Sequence, residues 1–347
     1  MAGGRKARSR PLFRALMAIV AAAVVIAAKR DNSGLYLVEV NGKGGYIDKA
    51  GKLLINPQFE HASDFSEGLA RVFVGSKGGY IDKAGKYVIN PQFDSTSDFR
   101  EGLALVSVDG QWGYIDKAGK YLVKPQFEAA SDFSEGLAAA TVGGKGGYID
   151  TAGKMVINPQ FDIAREFSEG LAAVSVGRKW GYIDKAGKLV INPQFDSALS
   201  FSEGLAAVSM GGNGKWGYID KAGKLVVNPQ FDLPLLFSEG LAAVSVGGKW
   251  GYIDKAGNYV INPQFDFALS FSGGLAAVRA DGKWGYTDKA GKLVINPQFD
   301  SAAEFSEGLA EVSVGGRGGH TKNRAISMER ECPVNLRKQR LPARSPD

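Results

Sequence analysis

Acidic residues at one recurring position are the first candidates for chemistry in this chain. An aspartate follows a Tyr-Ile or Tyr-Thr pair and is itself usually followed by Lys-Ala-Gly. A calcium ion needs about six to eight oxygen ligands, whereas each copy offers one carboxylate, usually beside a lysine. Asp in such a turn commonly caps backbone amides. We therefore predict structural turn residues and no metal site at Asp48, Asp82, Asp116, Asp150, Asp184, Asp220, Asp254 and Asp288.

Residues for nucleophilic catalysis are also few. A Ser-Glu pair recurs in most copies of "FSEG", with exceptions at Arg100 and Gly273, but only two histidines, His61 and His320, are present. A serine nucleophile needs an adjacent general base, and the single cysteine, Cys332, excludes an intrachain disulfide or a Cys-based metal cluster. We expect no enzyme activity, no cofactor and no metal.

Aromatic residues are the strongest candidates for ligand binding. Trp and Tyr stand two residues apart in "KWGYID", so both side chains lie on the same face if the segment is a strand. A row of such rings suits sugar rings, peptide backbones or quaternary amines. The alternative is that each Trp only packs against the next repeat. The candidate binding residues are Trp112, Trp180, Trp216, Trp250, Trp284, Tyr114, Tyr182, Tyr218, Tyr252 and Tyr286.

These aromatic residues belong to an internal repeat. The Tyr recurs eight times at a step of about 34 residues, with a single longer step before Tyr218, and the ninth step reaches His320. One copy predicts strands at 170–176, 179–184 and 188–192, separated by Gly-containing turns. Pro193 ends the third strand because it has no amide N–H to donate. The rest of the copy is a connector with room for a helical turn.

The repeat predicts an all-β fold, because no helical periodicity is sustained within a copy. We expect residues 31–316 to form an open solenoid or superhelix of eight three-stranded units of ~34 residues. A closed β-propeller is the alternative, but a copy of this length is short for a four-stranded blade. The units lie near 34–65, 68–99, 102–133, 136–167, 170–201, 204–237, 240–271 and 274–305, with a partial ninth from 308.

The residues kept in every copy should form the core. They are the Tyr and two connector phenylalanines, which in one copy are Phe161 and Phe167. Loss of a buried aromatic side chain costs about 3–5 kcal/mol, so an array of repeats cannot lose one in every unit. By contrast, Trp is the position at which Gly44, Gly78, Gly146 and Gly318 stand instead.

The two ends differ from the array. Residues 1–30 combine basic residues with an apolar run from Ala15 to Ala28, which suits either a cleaved export signal or a signal anchor. We therefore expect the array to be exported: periplasmic, on the cell surface, or anchored to the inner membrane. Residues 317–347 are basic and are either a disordered tail or a remnant of a further repeat. The array itself has more acids than bases despite the overall charge of +6, which disfavours nucleic-acid binding.

The repeat resembles the WG-repeat, or KWG-repeat, family of bacterial proteins. The likeness rests on "KWGYIDKAGKLVINPQF" and "FSEGLAAV" and extends from about Gly34 to Val314. The pairs that match the family's naming dipeptide begin at Trp112, Trp180, Trp216, Trp250 and Trp284. The resemblance implies an all-β repeat surface used for interaction and brings no common set of catalytic residues.

Two functions follow from these observations. The first is a non-catalytic interaction surface for another protein at the cell envelope. The second is binding of a glycan or of the cell wall through the Trp and Tyr shelves. Both predict a membrane association only through the N-terminal segment, and neither fixes the oligomeric state.

Overall fold

The computed structural model describes residues 34–48, 51–305, 308–314 and 324–327. Within these ranges every helix or strand is a β-strand, which confirms the all-β prediction. No helix in this part is long and apolar enough to cross a membrane. The N-terminal segment 1–30 lies outside the described residues, as does most of the tail 317–347, so the interpretations of both ends stay predictions.

The strands form eight blades, each built around one copy of the Tyr-containing strand. Blades 1 to 4 contain β1 (Leu35–Val40), β2 (Lys43–Asp48) and β3 (Leu53–Phe59); β4 (His61–Ala62), β5 (Ala70–Val74), β6 (Lys77–Ile81) and β7 (Tyr87–Phe93); β8 (Ser95–Thr96), β9 (Leu103–Val108), β10 (Gln111–Asp116) and β11 (Tyr121–Phe127); and β12 (Ala129–Ala130), β13 (Leu137–Val142), β14 (Lys145–Asp150) and β15 (Met155–Phe161). Blades 5 to 8 contain β16 (Ile163–Ser168), β17 (Leu171–Val176), β18 (Lys179–Ile183) and β19 (Leu189–Phe195); β20 (Ser197–Ala198), β21 (Leu205–Ser209), β22 (Trp216–Asp220) and β23 (Leu225–Phe231); β24 (Leu233–Pro234), β25 (Ala242–Val246), β26 (Lys249–Ile253) and β27 (Tyr259–Phe265); and β28 (Phe267–Ala268), β29 (Leu275–Ala280), β30 (Lys283–Asp288) and β31 (Leu293–Phe299). A partial ninth sheet follows, with β32 (Ser301–Ala302), β33 (Leu309–Ser313) and β34 (Arg324–Ser327).

The expectation of an open solenoid or superhelix of three-stranded units is wrong. The repeats are arranged as an eight-bladed β-propeller, in which each blade is a separate antiparallel sheet and none of the described sheets closes on itself. Blade 1 has three strands, whereas blades 2 to 8 have four, in the order of the chain. The extra strand comes from the connector. In six of those blades it is only two residues long, so even a short copy suffices for a four-stranded blade.

The glycine of each Trp-Gly pair allows the last two strands of a blade to approach closely. In blade 5, Trp180 pairs with Phe195 and Tyr182 with Ile191, and the register shifts between these two pairs. A Cβ atom on Gly181 would lie 2.7 Å from the backbone nitrogen of Pro193. Only glycine fits at this distance.

The core lies between consecutive blades. One cluster joins Tyr182 and Phe195 of blade 5 to Val208 of blade 6, with Phe201 of the intervening connector. The rings of Tyr182 and Phe201 lie 4.9 Å apart in an edge-to-face arrangement. All eight repeat tyrosines and all sixteen connector phenylalanines are buried, which confirms that these invariant residues form the core.

Where a connector carries the Ser-Glu pair, the pair joins its blade to the next one. Ser134 Oγ donates to the carbonyl oxygen of Phe167 at 2.7 Å. The Glu135 carboxylate accepts from the backbone N–H of Gly170 at 3.0 Å and lies 3.2 Å from Lys185 Nζ. The pair therefore has a structural role as a contact between blades.

The turn aspartates also behave as predicted. Asp184 Oδ1 accepts hydrogen bonds from the backbone N–H groups of Ala186 and Lys188 at 3.0 and 2.9 Å. The same bonds recur at Asp82, Asp116, Asp150, Asp220 and Asp288. These carboxylates cap their own turns.

A second tie between blades uses the lysine that precedes the Trp position. Lys179 Nζ of blade 5 donates to Asp196 at 2.6 Å, and Asp196 also accepts from the N–H of Gly212. The lysine lowers the pKa of the Asp196 carboxyl below its ordinary value. Equivalent pairs are Lys43–Glu60, Lys77–Asp94, Lys145–Asp162, Lys215–Asp232, Lys249–Asp266 and Lys283–Asp300.

Candidate binding surface

The five tyrosines predicted to bind a ligand are enclosed between blades. Their side chains are 1% exposed or less. Each hydroxyl donates to a backbone carbonyl in the connector that follows, as from Tyr182 to Leu199 at 2.8 Å. Burial raises the pKa of the Tyr182 hydroxyl, which therefore remains a donor at neutral pH. The same bond is made by Tyr114, Tyr218, Tyr252 and Tyr286.

The five tryptophans differ in exposure. Trp180, Trp216 and Trp250 are between 4% and 8% exposed, whereas Trp112 and Trp284 are only half-buried. Trp180 packs within the cluster between blades 5 and 6, and the guanidinium of Arg165 lies 4.8 Å from its ring centroid. The ten candidates therefore do not form one continuous exposed row. Their ligand-binding role stays a prediction, and the surface available for it is concentrated on the half-buried tryptophans.

Blades 7 and 8 carry a short aromatic row that includes two of the predicted residues. Phe267 lies between Trp250 and Trp284, with its ring centroid 5.0 Å from the first and 5.8 Å from the second. The interplanar angles are 48° and 66°, so the rings are tilted against one another. Phe267 and Trp284 are half-buried, and each leaves part of its ring accessible. We call Trp250, Phe267 and Trp284 the aromatic row.

An exposed arginine, Arg279, lies between Phe267 and Trp284 of the aromatic row. Arg279 in β29 is the direct cross-strand partner of Phe267 in β28 and of Trp284 in β30. Residues opposite each other on adjacent strands project to the same face, so the three side chains form a Phe-Arg-Trp line across blade 8. Arg279 is exposed, and its charge contributes to lowering the pKa of Asp266, after larger effects from Lys249 and Gly282.

The aromatic row and Arg279 together have the composition of a ligand platform. Aromatic faces bind apolar ring surfaces, and a guanidinium offers five N–H donors in a fixed plane. Of these residues, the sequence indicated Trp250 and Trp284 but missed Phe267 and Arg279. The signal was present as a departure from the repeat: blade 6 has Ser197 and Ser209 at the equivalent positions.

A second concentration of charge lies in the connectors and first strands of blades 2 to 5. Ser63 Oγ donates to Asp98 Oδ1 at 2.8 Å, and Arg71 Nε lies 3.6 Å from the same oxygen. Arg100 Nε lies 3.7 Å from Asp132 Oδ2. These contacts join consecutive blades.

Burial raises the pKa of the Asp132 carboxyl, and it also raises the pKa of Glu166. Asp98 and Asp132 each have a cationic partner from the protein itself. Asp98 and Asp132 therefore belong to polar contacts between blades. The aromatic row, in which Phe267 and Trp284 keep accessible surface, remains the stronger candidate surface.

Solved structures similar to this chain share little of its sequence. One is Hsv2p from Kluyveromyces lactis, with 14% identity and a TM-score of 0.42, covering 63% of this chain and 89% of that one. Another is virginiamycin B lyase from Staphylococcus aureus, with 16% identity and a TM-score of 0.38, covering 62% of this chain and 89% of that one. No curated protein sequence matches the chain.

The model of a single repeat family matches most of the chain. Its description is "WG containing repeat", and it matches residues 45–77, 79–112, 112–145, 147–180, 180–213, 216–250, 250–284 and 284–317. These eight consecutive matches cover well over half of the sequence, each spanning the end of one Tyr-containing strand, the connector and the following hairpin. The chain therefore belongs to the WG-repeat family.

Proposed function

We propose that this protein is a non-catalytic glycan-binding β-propeller, and that the aromatic row of blades 7 and 8 holds the sugar rings. The observation that carries the proposal is the Phe-Arg-Trp line of blade 8, in which two half-buried rings flank an exposed guanidinium. The apolar faces of a pyranose stack on aromatic rings, while its hydroxyls need fixed polar partners. Arg279 supplies donors beside the rings.

The position of the two rings supports a role beyond packing. Trp216 in blade 6 is 7% exposed with Ser197 as its neighbour in the first strand. In blade 8 the corresponding neighbour is Phe267, and both Phe267 and Trp284 keep accessible surface. A bulky ring beside an already half-buried Trp extends the apolar platform.

We also place this binding outside the cytoplasm. The basic and apolar N-terminal segment supports export, and the partner would then be an envelope glycan or a cell-wall polymer. In this proposal the membrane is contacted only through the N-terminal segment.

The test compares the full chain with variants on a panel of immobilised glycans that includes peptidoglycan fragments and neutral polysaccharides. Trp284→Gly and Phe267→Ser introduce residues that other blades carry at these positions. We expect each to weaken binding by about tenfold or more, in the range of a lost stacking contact.

Trp112→Gly is the matched control, because Trp112 is also half-buried but lies in blade 3, away from the aromatic row. It should lose packing to a similar extent and keep glycan binding. A panel on which the unchanged protein retains no glycan contradicts the proposal. Equal losses in Trp112→Gly and Trp284→Gly contradict the assignment to the aromatic row.

Protein binding is the second candidate function, and the outer edges of the blades support it. The last strand of each blade begins with apolar side chains that are unusually exposed, including Leu189 at 40% and Val190 at 44% in blade 5. Comparable residues are Leu53, Leu54, Tyr87, Val88, Tyr121, Leu122, Val156, Leu225, Val226, Tyr259, Val260, Leu293 and Val294. Exposed large apolar side chains are a feature of protein interfaces where they cluster.

A further inference from the structure

Arg279 is a cation at a position where no other described repeat has one. The corresponding residue of each preceding four-stranded blade pairs with the Trp or Gly position of the next strand, as Arg279 pairs with Trp284. Those residues are Phe73, Ser107, Thr141, Ser175, Ser209 and Ser245. Among these equivalent positions, a positive charge therefore occurs only in blade 8, where both flanking residues are accessible aromatic rings.

The protein leaves the charge of Arg279 available to a ligand. Its guanidinium makes no hydrogen bond or ion pair within the described part of the chain. Asp266, the acid to which it is electrostatically coupled, is already engaged: it accepts from Lys249 Nζ at 2.7 Å and from the Gly282 N–H at 3.5 Å. Asp281 lies in the following turn and forms no ion pair with Arg279 among the described residues.

The spacing limits where the complementary anion can be. Adjacent strands are about 4.8 Å apart, so Arg279 is anchored one strand spacing from Phe267 and one from Trp284. An anion attached to a sugar that stacks on either ring, or to the neighbouring sugar, is therefore within reach of the guanidinium. The planar guanidinium binds carboxylates and phosphates through two parallel hydrogen bonds, and of these two anions only a carboxylate can contain a carbon of the sugar itself.

We propose that the glycan recognised by the aromatic row is acidic and carries a carboxylate on its sugar rings, as a hexuronic acid does. This inference rests on the proposed glycan-binding function and narrows its ligand class. Phe267 and Trp284 bind the faces of consecutive sugars, and Arg279 pairs with the carboxylate between them.

The experiment measures the affinity of the full chain for an oligohexuronate and for its methyl-esterified counterpart of the same length. The two probes share a sugar backbone and differ in charge. The unchanged protein should prefer the acid by about tenfold at low salt, as expected for a hydrogen bond to a charged group. The preference should shrink as salt screens the pair.

Two variants assign the preference to Arg279. Arg279→Ser introduces the residue found in blades 3, 5, 6 and 7, and it should abolish the preference while the ester still binds. Arg178→Gly is the matched control: it removes another exposed arginine, from a turn with a φ of 65°, where other repeats have glycine. This control should keep the full preference. Thermal unfolding midpoints verify that both variants remain folded.

The outcomes separate the two proposals. Equal binding of acid and ester by the unchanged protein overturns the acidic-glycan inference and leaves glycan binding intact. An equal loss of preference in Arg178→Gly also overturns it, because the preference would then come from overall charge. Binding of neither probe, together with an empty glycan panel, overturns the proposed function itself.

Discussion

Tyr182 represents eight buried tyrosines whose hydroxyl groups join consecutive blades. Its side chain has no exposed surface, and its hydroxyl donates to the Leu199 carbonyl at 2.8 Å. Neither water nor another side chain can replace this bond without opening the interface. The constancy of Tyr at this position therefore reflects two requirements at once, a ring that fills the core and a donor that reaches the next blade.

We expect Tyr182→Phe to lower the free energy of unfolding by about 1–3 kcal/mol, because it leaves the buried Leu199 carbonyl without its donor. Chemical denaturation monitored by fluorescence measures the change. Tyr259→Phe is the control, since Tyr259 is 41% exposed and donates no side-chain hydrogen bond within the described residues. Similar losses in both variants would contradict a specific role for the buried hydroxyl.

The position of Trp180 illustrates how blades adjust to each other. In blade 5 the Trp fills the space between its own blade and the first strand of blade 6, where Ala198 is fully buried. In blade 4 the equivalent residue is Gly146, and a Cβ atom there would lie 2.8 Å from the Cβ of Ala164 in blade 5. The next blade has therefore moved into the space that Trp occupies elsewhere, so the absence of Trp leaves no cavity.

Gly146→Trp should consequently destabilise the protein, although five other repeats carry Trp at this position. Overpacking of a filled site costs typically about 1–3 kcal/mol, and the free energy of unfolding in denaturant measures it. Val156→Leu, which introduces the residue that blade 3 carries at the equivalent position, changes an exposed side chain of the same blade and should have a much smaller effect. A stabilised Gly146→Trp variant would contradict the close packing of blades 4 and 5.

The sequence predicts the location of three of the four strands of a blade, because glycine turns separate them. The prediction that Pro193 ends the third strand is wrong: β19 continues to Phe195, and Pro193 lies where the register shifts between the Tyr182–Ile191 and Trp180–Phe195 pairs, so its missing N–H is tolerated there. The sequence does not reveal the first strand, since two residues such as Ser197–Ala198 carry no periodicity and pair only once the next strand is in place. Without that strand, each copy shows only three strands and looks too short for a four-stranded propeller blade. The sequence alone therefore favours a solenoid. The sequence indicated two residues of the candidate site, Trp250 and Trp284, because they belong to the repeat pattern. It missed Phe267 and Arg279, because they depart from that pattern.

Ionic ties between blades recur along the whole molecule and give it a common response to acid. Lysine hydrogen bonds lower the pKa of Asp94, Asp162, Asp196, Asp232 and Asp266 below the ordinary value of 3.8, and a similar bond lowers that of Glu60 below 4.5. For a carboxyl whose pKa is lowered by folding, the stabilisation is present above the unfolded value and is lost as pH falls through the folded value. Burial has the opposite effect on Asp132 and Glu166, whose pKa values are raised.

The melting temperature should therefore change little or rise slightly as pH falls from neutral toward about 5, because protonation of Asp132 and Glu166 favours the folded state. Below about pH 4 it should fall, since the tied carboxylates lose their charge. Calorimetry over this range at low salt measures both limbs. The decline below pH 4 should be smaller in about 1 M salt, where exposed pairs are screened. A melting temperature that stays constant down to pH 2 would contradict the role of these ties.

The position of Phe267 has a consequence for how such a protein can acquire new ligands. Its counterparts in blades 2 to 7 and the partial ninth sheet are His61, Ser95, Ala129, Ile163, Ser197, Leu233 and Ser301, and none of them is buried. The repeat tyrosine and the two connector phenylalanines are kept in each of blades 2 to 8. Each of these blades thus presents a variable side chain at one position of a constant structural frame. If the proposed glycan binding holds, a substitution at this position would change specificity in one blade and leave the rest of the propeller unaltered.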